Sequence, residues 1–284
     1  MRYTRPGRFN PGRRKWEIVK TSTEALHLPA LTLVTYNVWF SNRYRSARFA
    51  ALLHIVRNCN ADIIALQEIT ADHLEVLLAE EWIRESYYLS DIKGTTIKPY
   101  GVLLLSRLPM TDLIIHELPS IMYRKLVVGE FFINGQIIKV ATVHLESMKE
   151  SAPERIEQLD AIFPLLEGSS HAVLMGDFNF KTPRDGESRH IDPSYLDMQE
   201  VQERAALDSS PDMDLTATLE REAMKQILGF DRILARSATP GWQPQWVRLL
   251  GTEPIGSGEL CVFPSDHFGL VGQLKWEEEM GREI

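Results

Sequence analysis

Cysteine is scarce in this chain: Cys59 and Cys261 are the only two, far apart and without metal or redox spacing. Their number and separation offer neither a disulfide framework nor a cysteine metal motif, and packing is the expected role of both. No run of about eighteen apolar residues occurs, so no membrane span is expected. The N-terminus has basic residues but no apolar core behind them, which argues against a secretory signal. No Gly-x-Ser-x-Gly elbow is present, so a serine nucleophile of that kind is disfavoured. No Pro/Gly/Ser linker, low-complexity tract or repeat divides the middle of the chain. The formal net charge of −8 argues against broad electrostatic wrapping of nucleic acid, although it leaves room for a local basic groove. We expect a soluble intracellular protein, nuclear and/or cytoplasmic.

What is present suffices for one large core. The 284 residues are 44% hydrophobic, which favours a single catalytic domain over residues 29–277 with a short tail at 278–284. Residues 1–28 form a basic arm, with Arg2, Arg5, Arg8, Arg13, Arg14, Lys15 and Lys20 opposed early on by Glu17 alone. The arm is expected to be solvated and partly disordered, or to contact phosphate or serve nuclear import.

Apolar β-branched runs predict strands over 31–39, 61–67, 100–106, 111–117, 125–133, 136–145, 171–176, 229–235, 245–250 and 268–274. Asn134-Gly135 is a two-residue hairpin signal. Helical spacing marks 45–58, a helix capped by Thr70, 151–166 with Pro153 in its first turn, and 219–227. The helices do not alternate strictly with the strands. That order points to a mixed α/β domain of two sheets packed face to face with helices outside.

Several of these runs end in polar residues. Asn37, Glu68, His144, and Asp177 with Asn179 close four strands, and Ser265-Asp266-His267 precedes a fifth. Such ends suggest one shared cleft at the rim of the sheets, suited to a hard divalent cation and a phosphate. Magnesium favours oxygen ligands and retains water, often using only one or two carboxylates. Glu68 is the candidate direct ligand. Asp177 suits the orientation and deprotonation of water, with Asn179 holding a phosphate oxygen or a metal-bound water. His144 and His267 can donate to the transition-state oxygens. Asp266 can fix a histidine tautomer or act as a second metal ligand.

The set Thr35-Tyr-Asn37, Leu66-Gln-Glu68, Thr142-Val-His144-Leu, Gly176-Asp177-Phe-Asn179 and Ser265-Asp266-His267 falls within Leu31 to Leu274. With it the chain resembles the endonuclease/exonuclease/phosphatase superfamily of magnesium-dependent phosphoesterases. Three further stretches resemble the tyrosyl-DNA phosphodiesterase branch: His144-Leu-Glu-Ser147 with Glu154-Arg155, Phe230-Asp231-Arg232-Ile233, and Leu249-Leu250-Gly251 leading to Phe263-Pro-Ser-Asp-His267. The resemblance implies a four-layer α/β/β/α sandwich of two packed mixed β-sheets flanked by helices. It implies hydrolysis of the 5′-phosphotyrosyl bond left when a type II topoisomerase is trapped on DNA, with Mg2+ as cofactor and Mn2+ as an alternative. The implied partners are DNA 5′ ends carrying a tyrosyl adduct and single-stranded nucleic acid.

By matching position, Asn37, His144, Asp177, Asn179 and His267 take the catalytic roles, Glu68 and Asp266 the metal, and Ser147 a DNA phosphate. Asp231 and Arg232 read as a structural ion pair. Lys181, with Arg184 nearby, stands where the family has an arginine, and lysine lacks the planar fork. A narrow basic groove for a 5′ end is expected to use Lys149, Lys181 and Arg184. Asp197-Met-Gln-Glu200 lacks the tryptophan expected there. Other activities on the same scaffold stay open: an RNA exonuclease or deadenylase, a phosphoinositide phosphatase, or a silent binding module.

Overall fold

The computed structural model describes residues 1–181, 186–200, 229–238, 240–256 and 262–278. Three short strands come first: β1 (Arg2–Thr4), β2 (Gly7–Asn10) and β3 (Lys15–Ile18). Then follow β4 (Ala30–Asn37), α1 (Arg45–Asn58), β5 (Ile63–Ile69), α2 (Ala71–Ala79), α3 (Glu81–Ser86) and β6 (Tyr88–Leu89). The central segment holds β7 (Gly101–Ser106), β8 (Asp112–Glu117), β9 (Lys125–Ile133), β10 (Gln136–His144), α4 (Ala152–Leu166) and β11 (His171–Asp177). The described part closes with β12 (Leu196–Asp197), β13 (Asp231–Ser237), β14 (Gly241–Leu250) and β15 (Gly269–Glu277). The helix expected over 219–227 lies outside the described residues. The strand expected from residue 245 begins earlier, and α3 was not expected.

Two sheets result, ordered β1-β8-β9-β10-β11-β13-β12 and β14-β15-β4-β5-β7-β6-β2-β3. Their central strands are apolar throughout because both faces are buried. Alternation along β5 sends Ile63 and Ala65 to the core between the sheets, and Ile64 and Leu66 to the core under α1, α2 and α3. Along β10, Ile138 and Val140 enter the central core while Ala141 and Val143 face α4. Helix α4 adds Leu159, Ile162 and Phe163 to that outer layer. The layers are therefore helix, sheet, sheet, helix. No helix among the described residues is long and apolar enough to cross a membrane.

The basic arm expected to be solvated is built into both sheets. Strand β1 pairs with β8 at the edge of one sheet, and β2 pairs with β6 and β3 in the other. Edge pairing runs through backbone N–H and C=O groups, so it leaves little apolar alternation for a sequence reading to detect. Arg8 adds a bond to the Glu85 carbonyl at 2.7 Å and lies over the Tyr88 ring.

Two parallel pairs, β4 with β5 and β10 with β11, bring their C-terminal ends to one rim of the sandwich. Register does the rest. Asn37 lies opposite Gln67, and His144 opposite Asp177, which in turn lies opposite Asp231. Beneath the rim, Gln67 of one sheet donates to Thr142 of the other at 3.2 Å and to Thr35 at 3.1 Å. Gly176 sits in β11 at φ 148, where a Cβ would overlap the Val143 carbonyl oxygen. Gly176→Ala should therefore destabilise the fold by about 3 kcal/mol or more. Thermal denaturation checks this, and an unchanged midpoint would contradict it.

Candidate active site

Asp177 is the centre of the rim cluster. It is 1% exposed, and a buried carboxylate stays ionised only when donors or cations surround it. One oxygen, Oδ2, accepts from Asn37 Nδ2 at 2.9 Å and faces His144 Nε2 at 3.3 Å and His267 Nε2 at 3.7 Å. The other, Oδ1, accepts the Asn179 backbone N–H at 2.9 Å. Burial alone would raise its pKa, but the two histidines, Asn37 and the Asn179 N–H outweigh it and hold the carboxyl below its ordinary range. Asn179 reaches this position at φ 55 and anchors its own amide by donating from Nδ2 to the Leu145 carbonyl at 3.1 Å.

The two histidines differ in charge. Arg124 Nη1 lies 3.1 Å from His144 Nδ1, and a guanidinium can only donate. Nδ1 of His144 therefore accepts, the proton sits on Nε2, and that N–H donates to Asp177. Burial pushes the His144 pKa down to about 3, consistent with a neutral ring. His267 is opposite in character. Its Nδ1 donates to Asp231 Oδ2 at 2.7 Å. Burial opposes its charge, but Asp231, Asp177 and Asp266 outweigh burial and raise its pKa to about 10. Burial pushes Asp231 up to about 6, against the pull of the imidazolium. At neutral pH the pair is carboxylate and imidazolium, with His267 Nε2–H directed to the Asp177 side.

Glu68 enters from the other sheet. The register of β5 slips between Leu66 and Ile69, and Glu68 takes φ 62 in that irregularity. A non-glycine residue in the left-handed region is strained, and such strain concentrates at functional sites. Oε1 accepts from Asn37 Nδ2 at 3.2 Å, and Oε2 from the Phe40 N–H at 2.8 Å. Asn37 thus joins Glu68 to Asp177 through one amide nitrogen, while its Oδ1 accepts from the Trp39 N–H at 3.0 Å. Burial raises the Glu68 pKa, with added repulsion from Asp266 and Asp177. Asp266 is exposed at its backbone and side chain together, yet surrounding protein crowds its carboxyl and raises its pKa as well.

Several anionic oxygens that repel one another fit a hard divalent cation. Among the described residues no group of three His, Cys, Asp or Glu side chains makes a ready cage.

Positioning extends outward. Ser265 Oγ donates to the Asn37 carbonyl at 2.7 Å and accepts the His267 N–H at 3.2 Å. Arg48, stacked on Trp39, donates to the carbonyls of Val38, Ser41 and Pro264 at 3.3, 2.7 and 3.2 Å. It thereby ties the loop after β4 to the loop before β15. Arg124 Nη2 donates to Ser147 Oγ at 2.6 Å, and its guanidinium lies 5.3 Å from the Tyr100 ring centroid. Phe40 stacks on Tyr100 at 4.7 Å, giving the mouth an aromatic side.

The structure gathers Asn37, Glu68, His144, Asp177, Asn179, Asp266 and His267 at one rim, with Ser147 beside them. Lys181 Nζ lies 5.3 Å from the Phe230 ring, which neighbours His267. Lys149 is exposed on a short 3-10 turn, Lys149–Ser151, and Arg184 lies outside the described residues. Three expectations change. Asp231, not Asp266, orients the His267 ring. Asp231 and Arg232 are not an ion pair: Arg232 pairs with Asp197 at 2.8 Å. His144 has both ring nitrogens engaged within the protein, so it holds Asp177 rather than facing a phosphate.

The endonuclease/exonuclease/phosphatase family model matches residues 34–267, which encloses every strand end of the site. The chain belongs to this family. Its members are divalent-metal phosphoesterases. Tyrosyl-DNA phosphodiesterase 2 from Xenopus laevis is 29% identical over 276 residues, covering 90% of this chain and 72% of that relative. The chain spans about half the length of other relatives of that name, 56% for Xenopus tropicalis and 57% for Gallus gallus. Among solved structures, humanized D. rerio TDP2 superposes with a TM-score of 0.70 at 23% identity, covering 87% of this chain and 100% of that one. D. rerio TDP2 complexed with single strand DNA product gives 0.67 at 21% identity, covering 87% and 99%. These two show that the fold is shared.

The Asp231–His267 pair sets a pH dependence. An imidazolium raised to about 10 keeps its proton through neutral pH and loses it as pH rises. Asp231→Asn removes the nearest stabilising charge. The basic limb of the kcat/KM profile should then fall toward the ordinary histidine range near ~6.5. A basic limb that stays in place would show that His267 is not the titrating group.

Proposed function

We propose that the chain hydrolyses 5′-phosphotyrosyl bonds at DNA ends with Mg2+ as its metal, Mn2+ being the alternative. The observation that carries the chemistry is an ionised Asp177 set between a neutral His144 and a cationic His267, and linked through Asn37 to Glu68. Relatives named tyrosyl-DNA phosphodiesterase 2 and, in Caenorhabditis elegans, 5′-tyrosyl-DNA phosphodiesterase support the choice of substrate. The solved relative with a single-strand DNA product supports a nucleic-acid strand in the cleft. The reading implies an intracellular protein, nuclear and/or cytoplasmic.

Each side chain then has a task. Asp177 accepts a hydrogen bond from the attacking water and takes its proton as the phosphorus–oxygen bond forms. His267 Nε2–H donates to a non-bridging phosphate oxygen as negative charge builds there. Asn37 bridges Glu68 and Asp177, so the carboxylate that would hold the metal and the one that takes the water's proton stay at a fixed separation. Glu68 and Asp266 would hold the metal, which neutralises phosphate charge and stabilises the departing tyrosyl oxygen. Ser147, presented by Arg124, would contact the strand's phosphate, and Lys181 lies on the opposite side near Phe230.

The test offers 5′-phosphotyrosyl DNA, 3′-phosphotyrosyl DNA, poly(A) RNA and a soluble inositide phosphate, each with magnesium and with chelator. The 5′ adduct should be cleaved in magnesium and spared in chelator. Cleavage of RNA without the 5′ adduct would overturn the substrate while leaving the site intact. Asp177→Asn should lower kcat by about a hundredfold or more, since an amide cannot accept the proton, and should lower the melting temperature as well, since its NH2 meets a donor now paired with the carboxylate. Glu68→Ala should raise the magnesium concentration needed for half-maximal rate as well as lowering that rate. A magnesium requirement unaltered in Glu68→Ala would remove Glu68 from the metal site.

A further inference from the structure

Three large apolar side chains stand in solvent beside the site: Ile121 and Tyr123, each 73% exposed, and Met148, 65% exposed. They lie on two neighbouring loops, 119–124 and 145–151, and both loops are tied down. Glu146, itself buried, accepts from Ser120 Oγ at 2.7 Å, the Ile121 N–H at 3.2 Å and the Met122 N–H at 2.9 Å. Ser120 Oγ accepts in turn from the Arg124 N–H at 2.9 Å. Arg155 donates to the carbonyls of Glu146, Ser147 and Met148 at 3.0, 3.2 and 2.6 Å. Within the first loop Tyr123 is held at φ 59, a left-handed conformation unusual for a residue with a bulky ring.

Apolar side chains on fixed loops lose little entropy when they are covered, so they are prepared for a partner. The loops meet where Arg124 reaches Ser147, and the same guanidinium contacts His144 of the catalytic cluster. The apolar rim is therefore continuous with the phosphate site and is accompanied by the exposed cation Lys149. Unpaired bases expose flat apolar faces, and their phosphates seek cations. A tyrosine ring and a polarisable methionine suit such faces.

We propose that Ile121, Tyr123 and Met148 form a platform for the unstacked bases of a single strand whose 5′ phosphate lies at the catalytic cluster. The proposal rests on the nucleic-acid substrate read above. It adds the surface that receives the bases nearest the cut.

The test compares the full chain with a variant carrying Ile121→Ser, Tyr123→Gly and Met148→Ser. Glycine suits the backbone at 123, so loss of the ring should not lower the melting temperature. Binding of a short 5′-phosphorylated single strand is measured by fluorescence anisotropy with chelator present, so that no turnover occurs. The variant should bind about tenfold or more weakly, as expected when base-stacking groups are lost. The salt dependence of binding should be unchanged, because no phosphate contact has been removed. An abasic strand of the same length should bind both proteins alike.

Equal losses for the abasic and base-bearing strands would overturn the proposal, as would no loss at all. So would a self-association of the full chain, seen by sedimentation, that the variant abolishes, because the platform would then be a contact between copies. Hydrolysis of 5′-phosphotyrosyl DNA without base-dependent binding would reject the platform and leave the proposed function standing. Base-dependent binding without such hydrolysis would do the reverse.

Discussion

A buried carboxylate held among hydrogen-bond donors constrains everything at this rim. Asp177 lies in a strand interior to a sheet, in a row with His144 and Asp231 on its two neighbours. Left unpaired, such a group would take up a proton or open the fold. The protein meets that demand with an amide, a backbone N–H, a neutral imidazole and a charged one. Each partner brings in a different part of the chain, so stabilising one anion also assembles the site.

The opposite charge states of the histidines follow from their outer partners. Arg124 can only donate, and it leaves His144 a single proton, on the nitrogen facing Asp177. Asp231 can only accept when ionised, and it favours a doubly protonated His267. One ring therefore fixes the carboxylate, and the other carries a proton where phosphate charge develops. Glu68 joins them across the sheet interface through Asn37, and Gln67 with Thr142 holds the two sheets in register just below.

Much of this was legible in the sequence. Asn37, Glu68, His144 and Asp177 each interrupt an apolar run, and a polar residue at the end of a doubly buried strand reveals itself by contrast. The two packed sheets followed from helices that do not alternate strictly with the strands. Residues that act from outside a strand end were harder to see. Arg124 lies in the loop before β9, with no periodicity to mark it, and its partner is twenty residues away. Arg48 looks like an ordinary charged position on a helix, although its side chain is buried against distant carbonyls.

Asp231 and Arg232 show where sequence adjacency misled, and a stricter reading was available. Neighbours in a strand point to opposite faces, so an adjacent Asp and Arg in β13 do not pair. One turns to His267 and the other to Asp197. The first eighteen residues escaped for another reason: edge strands held by backbone pairing carry no apolar signature. Nitrogen-15 NMR of the histidine rings at neutral pH tests the account most directly. His144 should show a single protonated nitrogen, Nε2, and His267 should show both nitrogens protonated. A protonated His144 with a neutral His267 would contradict it.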